Sequence, residues 1–275
     1  MSPRVACYIP AYNPGPEFGR CLSSIGASTL KPFVLVVDDG SDERIAVDFS
    51  AYGLAGEVLH LETNVGHARA ANAGLSQLLA MGFDYIARMD ADDLVLPARF
   101  ETQAGFLDAN PTIELLATSA ETIDEHDAPT GLWKAIPPAA LLRTMARNNC
   151  VCHPTIMHRA SYVRKFGFYP EVRVASDYEF MMRAAIADAL HILDAPLTRY
   201  RIHGNSISFK KYGDQLRTRF DVQIRYLKHT RMHGVLGLAR TLALMVAQAT
   251  LSSTLLTRLR SYQPTLLRPK PAGAA

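Results

Sequence analysis

Ala87-Arg88-Met89-Asp90-Ala91-Asp92-Asp93 places three carboxylates within four residues, directly after an apolar run, Phe83 to Met89, that reads as a buried strand. In an open α/β sheet the end of a strand is rigid and opens on the crevice where ligands bind. Acids crowded there repel one another unless a cation sits among them. Mg²⁺ and Mn²⁺ prefer oxygen ligands and bridge protein carboxylates to phosphates. The segment therefore reads as a metal-dependent site for a phosphate-bearing ligand. An acidic, solvated turn after a strand is the alternative.

Working outward, the apolar run Val5–Pro10 ends in the turn Ala11-Tyr12-Asn13-Pro14-Gly15. Glu17–Ile25 has helical spacing. Phe33–Val37 is a second buried strand, closed by Asp38-Asp39-Gly40-Ser41-Asp42, and Glu57–Leu61 is a third. His67–Met81 forms a helix with Ala68, Ala71, Leu75, Leu78 and Leu79 on one face. Pro97 opens the next helix, which stops before Pro111. Continuous apolar strands alternating with helices predict a mostly parallel sheet covered on both faces. The polar clusters at the strand ends then gather along its carboxyl edge. After Ile113 the pattern is mixed, with short strands at Leu115–Ser119 and Thr155–His158, another before Arg199, and helices near Ala139–Arg147 and Asp177–Ala187.

The 275 residues carry 48% hydrophobic content, enough for one sizeable core, and a formal net charge of +3, which points to no partner class. No basic stripe interleaved with aromatics indicates nucleic acid. The four cysteines, Cys7, Cys21, Cys150 and Cys152, form neither a zinc set nor a disulfide framework, so reduced thiols in the cytoplasm are expected. Met1-Ser2-Pro3-Arg4 runs straight into a strand with no signal peptide, and no apolar stretch reaches membrane-spanning length.

Ile9-Pro10-Ala11-Tyr12-Asn13, Val36-Val37-Asp38-Asp39-Gly40-Ser41, Asn64-Val65-Gly66 with Ala68-Arg69, and Arg88 to Asp93 are followed by Cys152-His153-Pro154-Thr155, Ser176-Asp177-Tyr178-Glu179 and Tyr200-Arg201-Ile202-His203-Gly204-Asn205-Ser206. In this order, over about three quarters of the chain, they resemble the inverting glycosyltransferases of family 2. The resemblance implies the GT-A fold: a Rossmann-like, mostly parallel α/β sheet with helices on both faces, here with a C-terminal helical extension. It also implies a nucleotide-diphospho-sugar donor, a UDP-sugar above all, and a divalent cation, Mn²⁺ or Mg²⁺. The non-catalytic alternative is a sugar-nucleotide-binding module.

By the same resemblance, Pro10, Ala11, Tyr12 and Asn13 line the base, Asp39 accepts from the base's imide N–H with Asp38 in support, and Arg69 lies near the diphosphate. An exposed helix arginine is the other reading of Arg69. Asp92 becomes the direct metal ligand, with Asp90 and Ala91 beside the donor. Asp93 either touches the donor sugar or caps the turn toward Pro97. His203 closes on the metal or diphosphate. Asp177 becomes the base that deprotonates the acceptor. Ser176 stands where the family usually has Glu, and a helix N-cap is the competing role for Asp177. His153 and Trp133 face the acceptor, with a buried structural Trp as the alternative.

The expected organisation is a catalytic domain over residues 1–210, a helical extension over 211–262 and a disordered tail over 263–275. The extension mixes apolar residues with Arg217, Arg219, Arg225, Lys228, Arg231, Arg240, Arg258 and Arg260. It either contacts the cytoplasmic face of an inner membrane peripherally or packs as a hairpin on the catalytic domain or in a homodimer. The acceptor would be a saccharide or lipid-linked saccharide in bacterial cell-surface polysaccharide, lipopolysaccharide or glycolipid synthesis.

Overall fold

The computed structural model describes residues 4–172, 174–202, 211–250 and 266–267. The chain opens with β1 (Val5–Ala11), α1 (Glu17–Gly26), β2 (Phe33–Asp38), β3 (Ala55–His60), α2 (His67–Ala80), β4 (Tyr85–Arg88), β5 (Leu94–Val95) and α3 (Arg99–Ala109). β6 (Leu115–Thr118), β7 (Ala120–Ile123), β8 (Pro129–Trp133), α4 (Pro138–Met145), β9 (Met157–Arg159), α5 (Ala160–Phe166), α6 (Ser176–Ile186), β10 (Leu190–Leu193) and β11 (Thr198–Arg201) follow. α7 (Tyr212–Arg225), α8 (Leu227–Thr250) and β12 (Leu266–Leu267) complete the described elements.

A seven-stranded sheet runs in the order β10-β6-β9-β4-β1-β2-β3. Its strands pair in parallel except β9, which lies antiparallel between β4 and β6. Both faces are covered, so every position of β2 from Val34 to Val37 is buried. Tyr8, Leu35 and Val37 face one core with α2 and α6; Cys7, Ile9, Val34 and Val36 face the other with α1 and α3. That is why these strands read as continuous apolar runs rather than alternating ones.

A second, five-stranded sheet, β12-β8-β7-β11-β5, was not read from the sequence beyond a short strand before Arg199. Its strands are short and only partly buried, which erases the alternation that would mark them. Leu266–Leu267 pairs antiparallel with Leu132–Trp133, so part of the segment read as a disordered tail is a strand.

The helical extension is a hairpin, α7 and α8, seated on the α/β part of the chain. Gln223 donates to the carbonyls of Ala146 and Arg147, and Thr241 donates to Gln223. Glu179 of α6 receives Arg225 and the Tyr226 hydroxyl. Gly237 lies so close that a Cβ there would stand 2.2 Å from the Ala146 carbonyl oxygen. Among the described residues no helix is long and apolar enough to cross a membrane.

Candidate functional site

The carboxyl ends of β1 and β2 are knitted together before any ligand is considered. The Asp39 N–H donates to the Ala11 carbonyl at 2.8 Å. Asn13, held at φ 45°, exchanges hydrogen bonds with Asp42 and takes the Ser41 hydroxyl on its N–H. Asp38 is buried and accepts from the N–H groups of Ser41 and Ile45 and from His60. Burial alone would raise its pKa, but these hydrogen bonds outweigh it and hold the carboxyl down at about 2. Asp39 accepts from the N–H groups of Val65 and Gly66 through separate oxygens and so fixes the turn into α2. Gly40, at φ 70°, permits this closeness: a Cβ there would meet the backbone of Thr63 at 2.4 Å. Tyr12 stands 49% exposed beside this rim, while Pro10 and Ala11 form the last rungs of β1.

The second wall is the turn after β4. Arg88 is fully buried and pairs with Asp90. Its Nε and Nη1 have no hydrogen-bond acceptor among the described residues. Burial disfavours its charge, yet Asp90 and the hydroxyls of Tyr8 and Tyr169 more than compensate, so it stays a cation. Asp90 and Ala91 are half-buried, as is Asp92. Asp93 is sealed from solvent: one oxygen accepts the Arg201 N–H at 2.7 Å and the other has no partner among the described residues. Burial, with Asp90 and Asp92 nearby, pushes its pKa well up. Asp93 thus ties the turn to β11.

Two further arginines brace this turn. Arg201 donates to the Asp92 carbonyl at 2.8 Å and to the Asp124 carbonyl, and pairs with Asp127. Arg99, fully buried, donates to the carbonyls of Arg88 and Pro154, which ties β4 to the turn His153–Thr155.

The third wall comes from later in the chain. Asp177 lies in the first turn of α6, after Ala175 in the left-handed region at φ 57°; no side chain caps the helix. Asn149 donates to the Asp177 carboxylate at 2.9 Å. Burial raises the Asp177 pKa, opposed by the N–H of Tyr178 and by Arg88, and reinforced by Asp90. Sites far apart in the chain thus act on one carboxyl. His153 hydrogen-bonds the Tyr169 hydroxyl at 2.9 Å, which in turn meets the Tyr8 hydroxyl at 2.9 Å. Burial, Arg88 and His67 push the His153 imidazole well below its usual range, so it is neutral at pH 7. Arg69 is exposed and paired with Glu171. Trp133 is half-buried, donating to the Cys150 carbonyl and standing edge-on to Tyr200. His203 lies outside the described residues.

Asp90 and Asp92 are a hard-oxygen donor pair, which fits Mg²⁺ or Mn²⁺ when a ligand's phosphates and water complete the shell. Among the described residues no three of His, Cys, Asp and Glu are grouped to hold a metal by themselves. A cavity of about 540 Å³ along Tyr85, Asp108, Arg159 and Arg164 contains none of these residues. Arg88, Arg201, Asn149, Tyr8 and Tyr169 were not singled out from the sequence. The one signal available was an arginine inside a short buried strand, which must find a partner.

A sequence model described as "Glycosyl transferase family 2" matches residues 7–189. The putative glycosyltransferase EpsE of Bacillus subtilis is 32% identical over 176 residues, 62% of each chain. An Escherichia coli UDP-Gal:alpha-D-GlcNAc-diphosphoundecaprenol beta-1,3-galactosyltransferase is 25% identical over 60% of this chain and 61% of its own. The chain thus matches rather under two thirds of the length of these relatives. Residues 1–349 of Staphylococcus aureus TarS, solved with UDP-GlcNAc, superpose with a TM-score of 0.66 at 19% identity, over 87% of this chain and 71% of that one. A mannosyltransferase of Pyrobaculum calidifontis, in complex with GDP-Man and Mn²⁺, gives 0.57 at 18% identity over 96% and 82%. The fold is GT-A, and with a family match over residues 7–189 of its 275 the chain belongs to glycosyl transferase family 2.

Proposed function

We propose that the protein is an inverting, metal-assisted glycosyltransferase that moves a sugar from a nucleoside-diphosphate donor, a UDP-sugar in the first instance, to an acceptor hydroxyl. The observation that carries this reading is the convergence on Asp177: its carboxyl, at the start of α6, is acted on by Arg88 and Asp90 from the end of β4. A half-buried carboxylate oriented by a neutral amide donor is suited to take the acceptor's proton in a single displacement.

In that reaction the acceptor oxygen attacks the anomeric carbon, the bond from that carbon to the diphosphate oxygen breaks with its electron pair, and the acceptor proton passes to Asp177. Asn149 orients the carboxylate for this. Tyr12 stacks on the base and Asp39 accepts from it through its remaining lone pairs. Arg69 and Arg88 supply positive charge on the diphosphate side, Arg88 from beneath Asp90. A divalent cation held by Asp92, with Asp90 beside it, would neutralise charge on the leaving diphosphate. His203 is assigned to closing that side, and His153 and Trp133 to the acceptor side.

The Escherichia coli relative, named for a GlcNAc-diphosphoundecaprenol acceptor, supports a lipid-linked saccharide in a bacterial cell-surface pathway as acceptor. The four free, buried thiols suit a cytoplasmic setting.

The test is a panel of UDP- and GDP-sugars with Mn²⁺, following release of the nucleoside diphosphate. Turnover that disappears in Asp177→Asn, while calorimetry still detects donor binding, is the expected result. Undiminished turnover in Asp177→Asn would refute the assignment of the base.

A further inference from the structure

Arg143, Thr144, Arg147, Asn148, His233 and Arg240 surround a second cavity, of about 470 Å³, between α4 and α8. No carboxylate is among them. None of the three arginines is in an ion pair among the described residues, and the Arg147 Nε is buried with no acceptor there. Arg219, on α7, adds positive charge close behind Arg240. Guanidinium groups so placed repel one another until an anion with several acceptor oxygens lies between them. Asn148 and Thr144 add the neutral donors that a phosphate group also uses.

The helix beside the cavity indicates what carries that phosphate. From Leu227 to Gln248, α8 contains no Asp or Glu. Its inward stripe, Gly234, Gly237 and Thr241, is buried, Gly237 against Ala146 and Thr241 against Gln223 of α7. Turning outward, Met232, Val235, Leu236 and Leu242 are all exposed, at 67%, 49%, 48% and 51%. At 100° per residue, His233 and Arg240 fall on the flank between the buried stripe and this apolar face. An apolar face bordered by a cationic pocket matches the acyl–headgroup boundary of an anionic bilayer. A second copy is a poorer occupant, because two-fold pairing of this face would bring two arginine clusters together.

We propose that this cavity binds the phosphate of an anionic lipid head group, with the exposed face of α8 lying in the membrane surface. The site is separate from the donor site, and the proposal stands whether or not the catalytic reading does. Asn148 adjoins Asn149, which holds Asp177, so a lipid-borne molecule would be delivered next to that carboxylate.

The test is co-flotation of the full chain with vesicles of phosphatidylcholine alone or mixed with phosphatidylglycerol. Binding to the mixed vesicles only is expected, weakened about a hundredfold in Arg143→Gln/Arg147→Gln/Arg240→Gln. Met232→Ser/Val235→Ser/Leu242→Ser should also release the protein. Both variants alter exposed or cavity-lining positions, and an unchanged melting temperature verifies folding; Arg240→Glu alone serves if the triple variant is unstable. No flotation overturns the proposal. So does a melting-temperature rise with free inorganic phosphate or pyrophosphate, lost in the arginine variant, without vesicle binding, since the ligand is then soluble. A dimer by light scattering that Met232→Ser/Val235→Ser/Leu242→Ser dissociates would assign the face to a second copy instead.

Discussion

Asp177 and Asp38 show opposite uses of a buried carboxyl. Burial raises Asp177, so its ionised, proton-accepting form is gained only as pH climbs through that raised value. The rate should therefore fall on the acidic side of a pH profile above the ordinary carboxylate range, and this limb should vanish with the turnover in Asp177→Asn. Because the charged form is disfavoured by folding, the same variant is expected to melt no lower than the wild type; transfer should drop by about a thousandfold. A lower melting temperature would mean that Asp177 holds the helix start and does not serve as base. Asp38 works the other way. Its folded pKa of about 2 lies below the ordinary value, so its stabilisation is complete above the ordinary carboxylate pKa and is lost as pH falls toward 2. Asp38→Ala strands the N–H groups of Ser41 and Ile45 and should cost roughly 2–4 kcal/mol in urea unfolding at pH 7. Asp38, Asp39 and the Asp90–Asp93 group were legible from their place after strands, Asp177 only from the motif that opens a helix. Their division of labour was not, because Asp38, Asp93 and Asp177 differ through partners such as His60, Arg201 and Asn149, which come from other parts of the chain.

Among the elements, α6 joins the proposed base to the C-terminal hairpin. Asp177 opens it, and Glu179 two residues later receives Arg183, Arg225 and the Tyr226 hydroxyl. Burial would raise the Glu179 pKa, but the two arginines hold it below its usual range. Glu179→Ala should speed amide exchange across α7 and α8 in hydrogen-exchange mass spectrometry while leaving β1 and β2 protected; uniform loss of protection would show that the hairpin is not a separate unit. Helix periodicity made α1, α2, α3 and α6 readable to within a residue or two. β7 and β8 escaped because a four- or five-residue strand carries no distinctive period, and their pairing shifts register at Thr122/Ile123.

At the scale of the whole molecule, the fold class was readable because β1, β2 and β4 are continuous apolar runs, each ending in polar residues at one sheet edge. The second sheet and the arginine braces were not, since they depend on contacts between distant segments. That assembly makes a prediction for ligand binding. UDP with Mn²⁺ at about a hundred times its dissociation constant should raise the melting temperature by roughly 5–10 °C, and EDTA or Asp92→Ala should abolish the metal-dependent part. An equal shift in EDTA would remove the cation from the donor site.

β9 lies antiparallel between β4 and β6, at the middle of the main sheet. As the chain leaves the ribosome, β1 to β4 can pair while the far side of β4 stays open until Arg159 has been made. Ordered assembly therefore waits for the second half of the chain, and any translational pause between Ala109 and Arg159 leaves an apolar sheet edge exposed to chaperones or to a neighbouring nascent chain.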